Sequence, residues 1–304
     1  MRLISIITVN YNNSWVTEEL LNSIYKENTY TNLEIIVVDN GSKVDPVAAW
    51  QQKYRDVIFI RSESNLGFAG GNNLGIKKAK GDFLFLVNND TEFTPDLVEK
   101  LEKQLGKNEL AGIVSPKIIY YGSNIIQYVG YTEMNFYTGR NACIGQFEED
   151  HNQYQDRTGK TGYAHGAAMM VKRAAIEKAG LMAENFFLYY EELDWCERIK
   201  KAGFEVWIEA DATIYHKESM SVGKQSGLKE YFMTRNRILF ERKHVSPLTF
   251  FIFLIYFLLI VCPRNIIGYV KNREYGFIPL FFKAIAWNFR NDENSNDVSF
   301  PGHF

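Results

Sequence analysis

The chain has 304 residues, of which 46% are hydrophobic and 23% are charged, and its formal net charge is -2. This length suits one large α/β domain with an appendage, because a single core stops growing near about 250–300 residues. The near-neutral charge excludes a global electrostatic attraction to nucleic acid, and three widely spaced cysteines exclude both a disulfide framework and a paired-cysteine zinc site.

The N-terminus carries a short apolar run at residues 3–9, followed by polar residues from Asn10 to Ser14. This pattern lacks the apolar core and the cleavage site of a signal peptide. The few, unpaired cysteines also favour a reducing compartment. We therefore expect the protein to stay in the cytoplasm.

Strand-like runs alternate with stretches of helical periodicity through the first third of the chain. The runs rich in β-branched and aromatic residues cover 3–9, 33–38, 57–60 and 83–87. Apolar residues recur at helical spacing around 20–25, 47–54 and 74–80. This alternation predicts a mostly parallel sheet covered by helices.

Each of these predicted strands ends in a polar cluster, which lies at 10–13, 39–42, 62–65 or 88–90. Ligands bind such sheets outside the carboxyl ends of the strands, so the four clusters predict a nucleotide site. Asp39 is suited to accept hydrogen bonds from a base or a ribose. Its alternative role is a turn or a helix cap, which Asp also favours.

Two further segments at this edge suit a diphosphate. Residues 65–73 form a glycine-rich bend that enters a helix, where backbone N–H groups can approach phosphate; close helix–sheet packing is the alternative. Asp90, with Asn88 and Asn89, suits Mg²⁺ or Mn²⁺ that also takes phosphate ligands. A turn-forming Asp is the alternative there.

The middle of the chain is less regular. Strand-like runs at 113–121 and 125–131 precede a polar stretch at 148–160, which we interpret as an irregular, mobile loop. A strand at 167–171, a helix at 191–202 ended by Gly203, and a strand at 205–215 follow.

An acidic cluster opens the predicted helix at 191–202. Glu191, Glu192 and Asp194 follow aromatic residues, and burial beside them can raise a carboxyl pKa into the range of a general base. The alternative is ordinary helix chemistry, in which Asp194 pairs with Arg198 one turn later. His216, after the last strand, is a candidate metal ligand or phosphate contact, with a partly buried structural histidine as the alternative.

The C-terminal region is aromatic and basic. The uncharged stretch 248–262 lies between Pro247 and Pro263, and as a helix it reaches about 22 Å, short of the roughly 30 Å hydrocarbon core. A second apolar stretch follows at 275–287. With basic residues on both flanks, we expect both stretches to insert shallowly at an anionic leaflet rather than to span it. An oligomer interface and a re-entrant hairpin are the alternatives.

Taken together in chain order, these motifs resemble family 2 glycosyltransferases with the GT-A fold. The likeness is carried by 8–12, 37–42, 65–73, 88–90, 166–169 and 191–194. More narrowly they resemble the rhamnosyltransferase-like branch that builds bacterial surface polysaccharides. The resemblance covers about residues 1–240 and implies a mixed sheet flanked by helices, which leaves 241–304 as a helical membrane-associating region.

The resemblance implies an inverting transfer from a nucleotide sugar to a hydroxyl of a saccharide acceptor, which is lipid-linked if the protein acts at a membrane. By resemblance the favoured donor is dTDP-L-rhamnose, with UDP-sugars left open. We expect the enzyme on the inner face of the cell membrane, with no nucleic-acid partner. The alternatives are a non-catalytic sugar-nucleotide-binding protein and a nucleotidyltransferase.

Site residues follow by position in the motifs. The donor nucleotide is expected to contact Thr8, Asn10, Tyr11, Asp39, Asn65, Gly70, Asn72, Asn88, Asn89 and Arg235. The metal position falls on Asp90, Asn88 and His216, and here Asn88 replaces the first acid of the family's Asp-x-Asp. Glu192 is the first candidate base, Asp194 the second, and Glu191 completes the set. A basic helix beside a membrane is the alternative role for Arg235.

Overall fold

The computed structural model describes residues 1–218 and 226–301. Within them the strands are β1 (Ile4–Asn10), β2 (Leu33–Asp39), β3 (Val57–Arg61), β4 (Phe83–Val87), β5 (Thr91–Glu92), β6 (Ala111–Tyr120), β7 (Ile126–Tyr128), β8 (Thr158–Lys160), β9 (Ala168–Lys172) and β10 (Glu205–His216). They form one sheet with the order β3-β2-β1-β4-β9-β6-β10-β5, to which β7 and β8 attach through β6 and β10.

The sheet has a parallel half and a mixed half. Strands β3, β2, β1 and β4 are parallel neighbours. Strand β9 runs antiparallel to both β4 and β6, whereas β10 is parallel to β6 and antiparallel to β5. The predicted strands are therefore confirmed, and so is the mixed sheet implied by the resemblance.

Helices cover both faces of the sheet. They are α1 (Ser14–Glu27), α2 (Val47–Lys53), α3 (Gly67–Lys78), α4 (Leu97–Lys107), α5 (Arg173–Ala179), α6 (Glu191–Lys201), α7 (Gly227–His244), α8 (Pro247–Tyr256), α9 (Cys262–Lys271) and α10 (Phe277–Arg290). The polar stretch 148–160 consists mainly of turns and ends in β8.

Two cores follow from the alternation of side chains along each strand. Ile4 and Ile6 face a core that they share with Leu20 of α1 and Trp50 of α2. Ile7 faces the opposite core, which α3, α6 and α7 complete. The sheet thus presents the carboxyl ends of its parallel strands at one edge.

The helix formed by the C-terminal apolar stretch is longer than the sequence predicted. We expected its helix to stop at Pro263, but α8 and α9 are joined through a π-helical turn at Phe257–Val261 into one helix, Pro247–Lys271, of 25 residues. A proline clashes with a carbonyl one turn earlier, and the wider turn before Pro263 accommodates it. At about 1.5 Å per residue this helix reaches roughly 37 Å, so its length no longer excludes a membrane crossing.

The long helix is packed on one side only. Phe253, Phe257 and Val261 are buried against Phe281 of α10, while Leu259 on another face is 69% exposed. Helix α10 in turn packs against α7, where Asn288 Nδ2 donates to the Arg235 carbonyl at 3.0 Å. The domain boundary predicted near residue 240 falls inside α7, and the division into two regions stays a prediction.

Candidate active site

Polar side chains meet at the ends of β1 and β2, as the strand pattern predicts. Asp39 is fully buried and its carboxylate is saturated. Its Oδ1 accepts from Asn10 Nδ2 at 2.8 Å and from Ser42 Oγ at 2.5 Å. Its Oδ2 accepts from Arg61 Nη1 at 2.6 Å. In this arrangement Asp39 orients three neighbours that surround the strand ends, rather than presenting a free carboxylate.

A small polar cavity of about 90 Å³ opens beside this network. Its lining residues are Asn10, Asn12, Ser14, Ser42, Lys43 and Val44. Tyr11 lies next to it in sequence and is 38% exposed. Thr8, in contrast, is fully buried, and its hydroxyl has no hydrogen-bond partner among the described residues. Of the predicted contacts on β1, only Asn10 lines the cavity.

The glycine-rich segment begins α3 at Gly67, as predicted. Its asparagines serve the protein itself: Asn65 Oδ1 accepts from the backbone N–H of Gly67 at 2.9 Å, and Asn72 Nδ2 donates to the Phe68 carbonyl at 3.0 Å. A Cβ on Gly70 would lie 2.6 Å from Leu66 Cβ. A glycine further along α3, Gly75, packs as closely on the sheet. The close-packing alternative therefore describes much of this segment.

The β4 end connects to both the nucleotide edge and β10. Asn88 uses its backbone, whose carbonyl accepts from the Thr91 N–H at 3.2 Å. Asn89 Nδ2 donates to Thr17 Oγ1 at 3.0 Å. Because β10 pairs with β5 so that His216 lies opposite Thr91, the neighbouring Asp90 meets the histidine. Asp90 Oδ1 lies 3.1 Å from His216 Nε2.

The pair formed by Asp90 and His216 has the chemistry of a metal site. His216 Nδ1 lies 2.7 Å from Gln127 Oε1. In the tautomer that carries its proton on Nδ1, the ring donates to this acceptor, and Nε2, which faces Asp90, offers its lone pair to a cation. Imidazole nitrogen and carboxylate oxygen both suit Mn²⁺. No group of three or more His, Cys, Asp or Glu side chains is arranged to hold a metal ion in residues 1–218 and 226–301. A metal held here would therefore need further ligands, such as the phosphate oxygens of a donor.

Three residues beside this pair were missed by sequence reasoning: Gln127, Tyr131 and His165. The His165 ring stacks on Tyr131, with centroids 6.2 Å apart, and its centroid lies 6.3 Å from that of His216. Burial, and then the nearby His216, lower the pKa of His165 to about 3, so it is a neutral ring at physiological pH. In the sequence His165 is a single histidine next to small residues, and nothing in that pattern predicts that it stacks on Tyr131.

Glu191 and Glu192 begin α6 at the other side of the site. Burial, and then the charge of Glu192, raise the pKa of Glu191 well above its usual value, and Glu191 Oε2 has no hydrogen-bond partner among the described residues. Burial raises the pKa of Glu192 to about 7. A Cβ on Gly166 would lie 3.8 Å from Glu192 Cγ and 3.7 Å from Phe68 Cζ. Glu192 thus lies beside the start of α3.

Asp194, our second candidate base, has a different environment. Its side chain is fully buried, and its two oxygens are bound by Arg198 Nε and His244 Nε2, each at 2.8 Å. Burial alone would raise the pKa of Asp194, but the His244 hydrogen bond and the Arg198 charge outweigh it, so the pKa lies below its usual value. The predicted ion pair with Arg198 is present. We therefore correct the catalytic set by assigning Asp194 to this structural cluster.

Arg235 also needs correction as a phosphate contact. It is fully buried, its guanidinium lies 3.8 Å from the Trp287 ring centroid, and Nη2 donates to the Asn185 carbonyl at 2.7 Å. Burial lowers its pKa to about 10. The basic run in which it lies resembles a surface pattern in sequence, but α10 covers it.

The comparisons with known proteins bear on the family and the fold. Residues 5–180 match the family model described as Glycosyl transferase family 2. The low-salt glycan biosynthesis hexosyltransferase Agl10 of Haloferax volcanii is 25% identical over 78% of this chain and 74% of its own. The dTDP-rhamnosyl transferase RfbF of Shigella flexneri is 25% identical over 83% of this chain and 87% of its own.

Solved structures share the fold. TarS 1-349 of S. aureus in complex with UDP-GlcNAc has a TM-score of 0.61 at 17% identity, over 94% of this chain and 80% of that one. The mannosyltransferase PcManGT of Pyrobaculum calidifontis, in complex with GDP-Man and Mn²⁺, has a TM-score of 0.57 at 15% identity, over 95% and 87%. The chain spans only 42% of a longer TarS chain. The similarity confirms the GT-A fold.

Proposed function

This chain belongs to glycosyltransferase family 2, and from that premise we propose that it transfers a sugar from a nucleotide-sugar donor to a hydroxyl group of a saccharide acceptor, with inversion at the anomeric carbon. The observation that carries the proposal is Glu192, which forms no ion pair among the described residues and lies beside the start of α3. Its pKa of about 7, raised by burial, suits a base that works near neutral pH.

In this mechanism Glu192 accepts the proton of the acceptor hydroxyl while that oxygen bonds to the anomeric carbon. The bond from that carbon to the diphosphate oxygen breaks on the opposite face, and the nucleoside diphosphate leaves. Burial, and then the charge of Glu192, also raise the pKa of the adjacent Glu191, so the pair resists carrying two negative charges at once. Because the base must be ionised, we expect kcat/KM to rise with pH through about 7.

We propose that Asp90 and His216 hold Mg²⁺ or Mn²⁺ together with the donor diphosphate. Such a cation, when bound, supplies positive charge to the departing diphosphate. The support is the pair's 3.1 Å contact, the Gln127 acceptor behind it, and the Mn²⁺ named with PcManGT. The test is calorimetric titration of Mn²⁺ in the presence of nucleoside diphosphate. We expect Asp90→Asn to lose binding and the exposed Asp211→Asn to keep it.

The donor that we favour is dTDP-L-rhamnose, since RfbF is named as a dTDP-rhamnosyl transferase. TarS in complex with UDP-GlcNAc keeps UDP-sugars as the second candidate. A relative from Mycobacterium tuberculosis is named N-acetylglucosaminyl-diphospho-decaprenol L-rhamnosyltransferase and is 22% identical over 63% of this chain. Its name supports a lipid-linked saccharide acceptor here, in the assembly of a surface polysaccharide.

A thermal-shift screen of nucleotide sugars with and without Mn²⁺ identifies the donor. A ligand that binds only the folded protein stabilises it and raises its unfolding temperature. Product analysis with that donor then tests the reaction. A sugar joined to the acceptor, with release of nucleoside diphosphate, supports transfer. Release of pyrophosphate would identify a nucleotidyltransferase instead, and binding without turnover would identify a non-catalytic binding protein.

We further propose that the protein lies on the inner face of the cell membrane through the free face of the long helix. This face exposes Phe251, Leu258 and Leu259 over much of their surface. The helix is strongly apolar and most of its apolar stretch is not buried inside the protein, which fits immersion of one side. Because the other side packs on α10 along much of its length, we favour surface insertion over a crossing.

Flotation with vesicles of phosphatidylglycerol and phosphatidylethanolamine tests this attachment. We expect Leu259→Glu to reduce flotation about tenfold, since it removes apolar burial and adds a charge. Leu110→Glu, on an exposed leucine of the catalytic region, is the matched control and should float like the wild type. If Leu259→Glu floats normally but dissociates an oligomer in size-exclusion chromatography, the surface is a subunit interface instead.

A further inference from the structure

The segment that leads into α6 has an unusual backbone. Phe187, Tyr189 and Tyr190 all have left-handed φ angles, of 65°, 69° and 71°, although none is glycine. This conformation is strained in a residue other than glycine and persists only where the surroundings impose it. The three lie directly before Glu191 and Glu192. The contacts that impose this conformation therefore also determine the position of Glu191 and Glu192, which follow directly in the chain.

Asn236 of α7 binds this segment through its side-chain amide. Its Nδ2 lies 2.8 Å from each of three carbonyl oxygens, those of Phe186, Leu188 and Tyr189. Asn236 is fully buried, and its own Oδ1 accepts from Arg235 Nη1 at 3.0 Å. A single side-chain amide therefore holds the carbonyl oxygens of three nearby residues close together.

The same segment contacts both halves of the candidate active site. The Phe187 carbonyl accepts from the Phe68 N–H at 2.8 Å, in the first turn of α3. The Tyr190 carbonyl accepts from the Asp194 N–H at 2.8 Å, in the first turn of α6. A displacement of these carbonyls would thus move the start of α6 relative to the start of α3.

We propose that Asn236 is a positioning residue of the transfer reaction, which holds the 186–190 segment in its left-handed form and so places Glu192 against the acceptor hydroxyl. The inference rests on the proposed function, because it takes Glu192 as the base. Without the amide, these carbonyls lose a hydrogen-bond donor, which destabilises this conformation of the segment. The segment then relaxes towards ordinary backbone angles, and the carboxylate moves with it.

A buried amide that only supports packing would have a different effect, and the chain contains a matched example. Asn288 of α10 is also buried, and its Nδ2 donates to the carbonyls of Arg235 and Ala284. It touches none of the carbonyls of residues 186–190. Asn288→Ala therefore removes a comparable amide from the same helix pair and leaves the segment's own donor in place.

The test compares Asn236→Ala with Asn288→Ala in the full-length protein, using transfer kinetics and thermal unfolding. We expect both to lower the unfolding temperature. Only Asn236→Ala should lower kcat, by about 10- to 100-fold, because small misplacements of a reacting group are costly. The donor KM should change by less than about threefold, since the lost interaction acts in the transition state. Equal kcat values for the two folded variants would overturn the proposal.

Asn236→Asp separates hydrogen bonding from shape. It keeps the side-chain volume but replaces the donor by oxygens that face three carbonyls. We expect its kcat to be no higher than that of Asn236→Ala, whereas a kcat near wild type would mean that only shape matters. Where the Ala variant does not fold, Asn236→Ser, which keeps one donor, takes its place, and a fall in kcat absent from Asn288→Ala is still required.

Glu192→Gln, measured in parallel, separates this inference from the proposed function. If Glu192→Gln keeps normal transfer, the base assignment fails, and the positioning role fails with it. If Glu192→Gln abolishes transfer while Asn236→Ala behaves like Asn288→Ala, only the positioning role fails. If both Glu192→Gln and Asn236→Ala lose kcat with donor binding retained, both proposals are supported.

Discussion

Carboxylates at the ends of the parallel strands and carboxylates at the start of α6 have opposite surroundings. Asp39 is bound by Arg61, Asn10 and Ser42, whereas Glu191 and Glu192 form no ion pair among residues 1–218 and 226–301. The partnered carboxylate fixes the geometry of its neighbours. Burial without a partner raises the pKa of a carboxyl group, in Glu192 to about 7, where it can exchange a proton near neutral pH. The neighbouring side chains thus decide whether a carboxylate in this fold organises the strand ends, as Asp39 does, or is suited to proton transfer, as Glu192 is.

The largest expected effect on the rate of transfer is that of replacing Glu192, which has no ion-pair partner among the described residues. Glu192→Gln keeps the shape of the side chain but removes its basicity, so we expect transfer to fall about 10²- to 10⁴-fold. Donor affinity should stay close to wild type. Steady-state kinetics measure this, with the exposed Glu177→Gln as control. A Glu192→Gln enzyme with more than about a tenth of wild-type activity would contradict the assignment.

The next effect concerns Asp194, only two positions away. Asp194→Asn breaks a buried pair with Arg198 and His244, so we expect a loss of about 3 kcal/mol in the free energy of unfolding. The kcat of the folded fraction should remain near wild type. Denaturant unfolding and kinetics together measure this. A stable but inactive Asp194→Asn would return the base role to Asp194.

A smaller effect tests the contact between α3 and the strained segment. Gly67 has a φ of +72°, and a Cβ there would lie 2.2 Å from the Phe187 carbonyl oxygen. Gly122 has a φ of +73° with nothing within 4 Å of a Cβ, so it is a matched control for backbone strain alone. We expect Gly122→Ala to lose about 1 kcal/mol of stability. Gly67→Ala should lose more and also lower kcat, and identical losses would contradict the close contact.

The last comparison concerns the pH dependence of stability. Folded Glu192 stays protonated up to about 7, whereas the unfolded chain loses this proton near its ordinary 4.5, so the folded state binds more protons in between. Wild-type stability should therefore fall, relative to Glu192→Gln, as pH rises through this interval. The lowered pKa of Asp194 acts in the opposite sense, because its contribution is present above its usual 3.8 and is lost as acid protonates it. Denaturant unfolding at several pH values measures both slopes.

The sequence predicted the parallel half of the sheet well, because alternating apolar residues such as Ile6 and Ile7 report two buried faces. The position of Asp90 at a strand end followed from the same pattern. Its contact with His216 depends on the pairing of β10 with β5, a long-range register that no local motif encodes. The contact of Gln127 with His216 could not be predicted for the same reason.

The C-terminal region was predicted less well. The charge of Arg235 indicated a phosphate contact or a basic surface, but the helix that covers it lies some fifty residues later, and Trp287 is its packing partner. Pro263 indicated a helix end, since the compensating turn leaves no signature in composition. In both cases tertiary packing outweighed a local rule that holds for isolated segments.

The turn at Phe257–Val261 also affects how this region tolerates mutation. A π-helical turn holds one residue more than an α-helical turn, so the in-frame loss of a single codon there would leave an ordinary α-turn and keep the direction of the downstream side chains. The same loss beyond the turn, in the part of α9 that precedes Tyr269, would rotate the following side chains by about 100°. Tyr269, whose ring centroid lies 6.0 Å from that of Phe281, would then leave the core. One-codon deletions in this long helix should thus be tolerated inside the turn and disruptive beyond it, although both leave the composition almost unchanged.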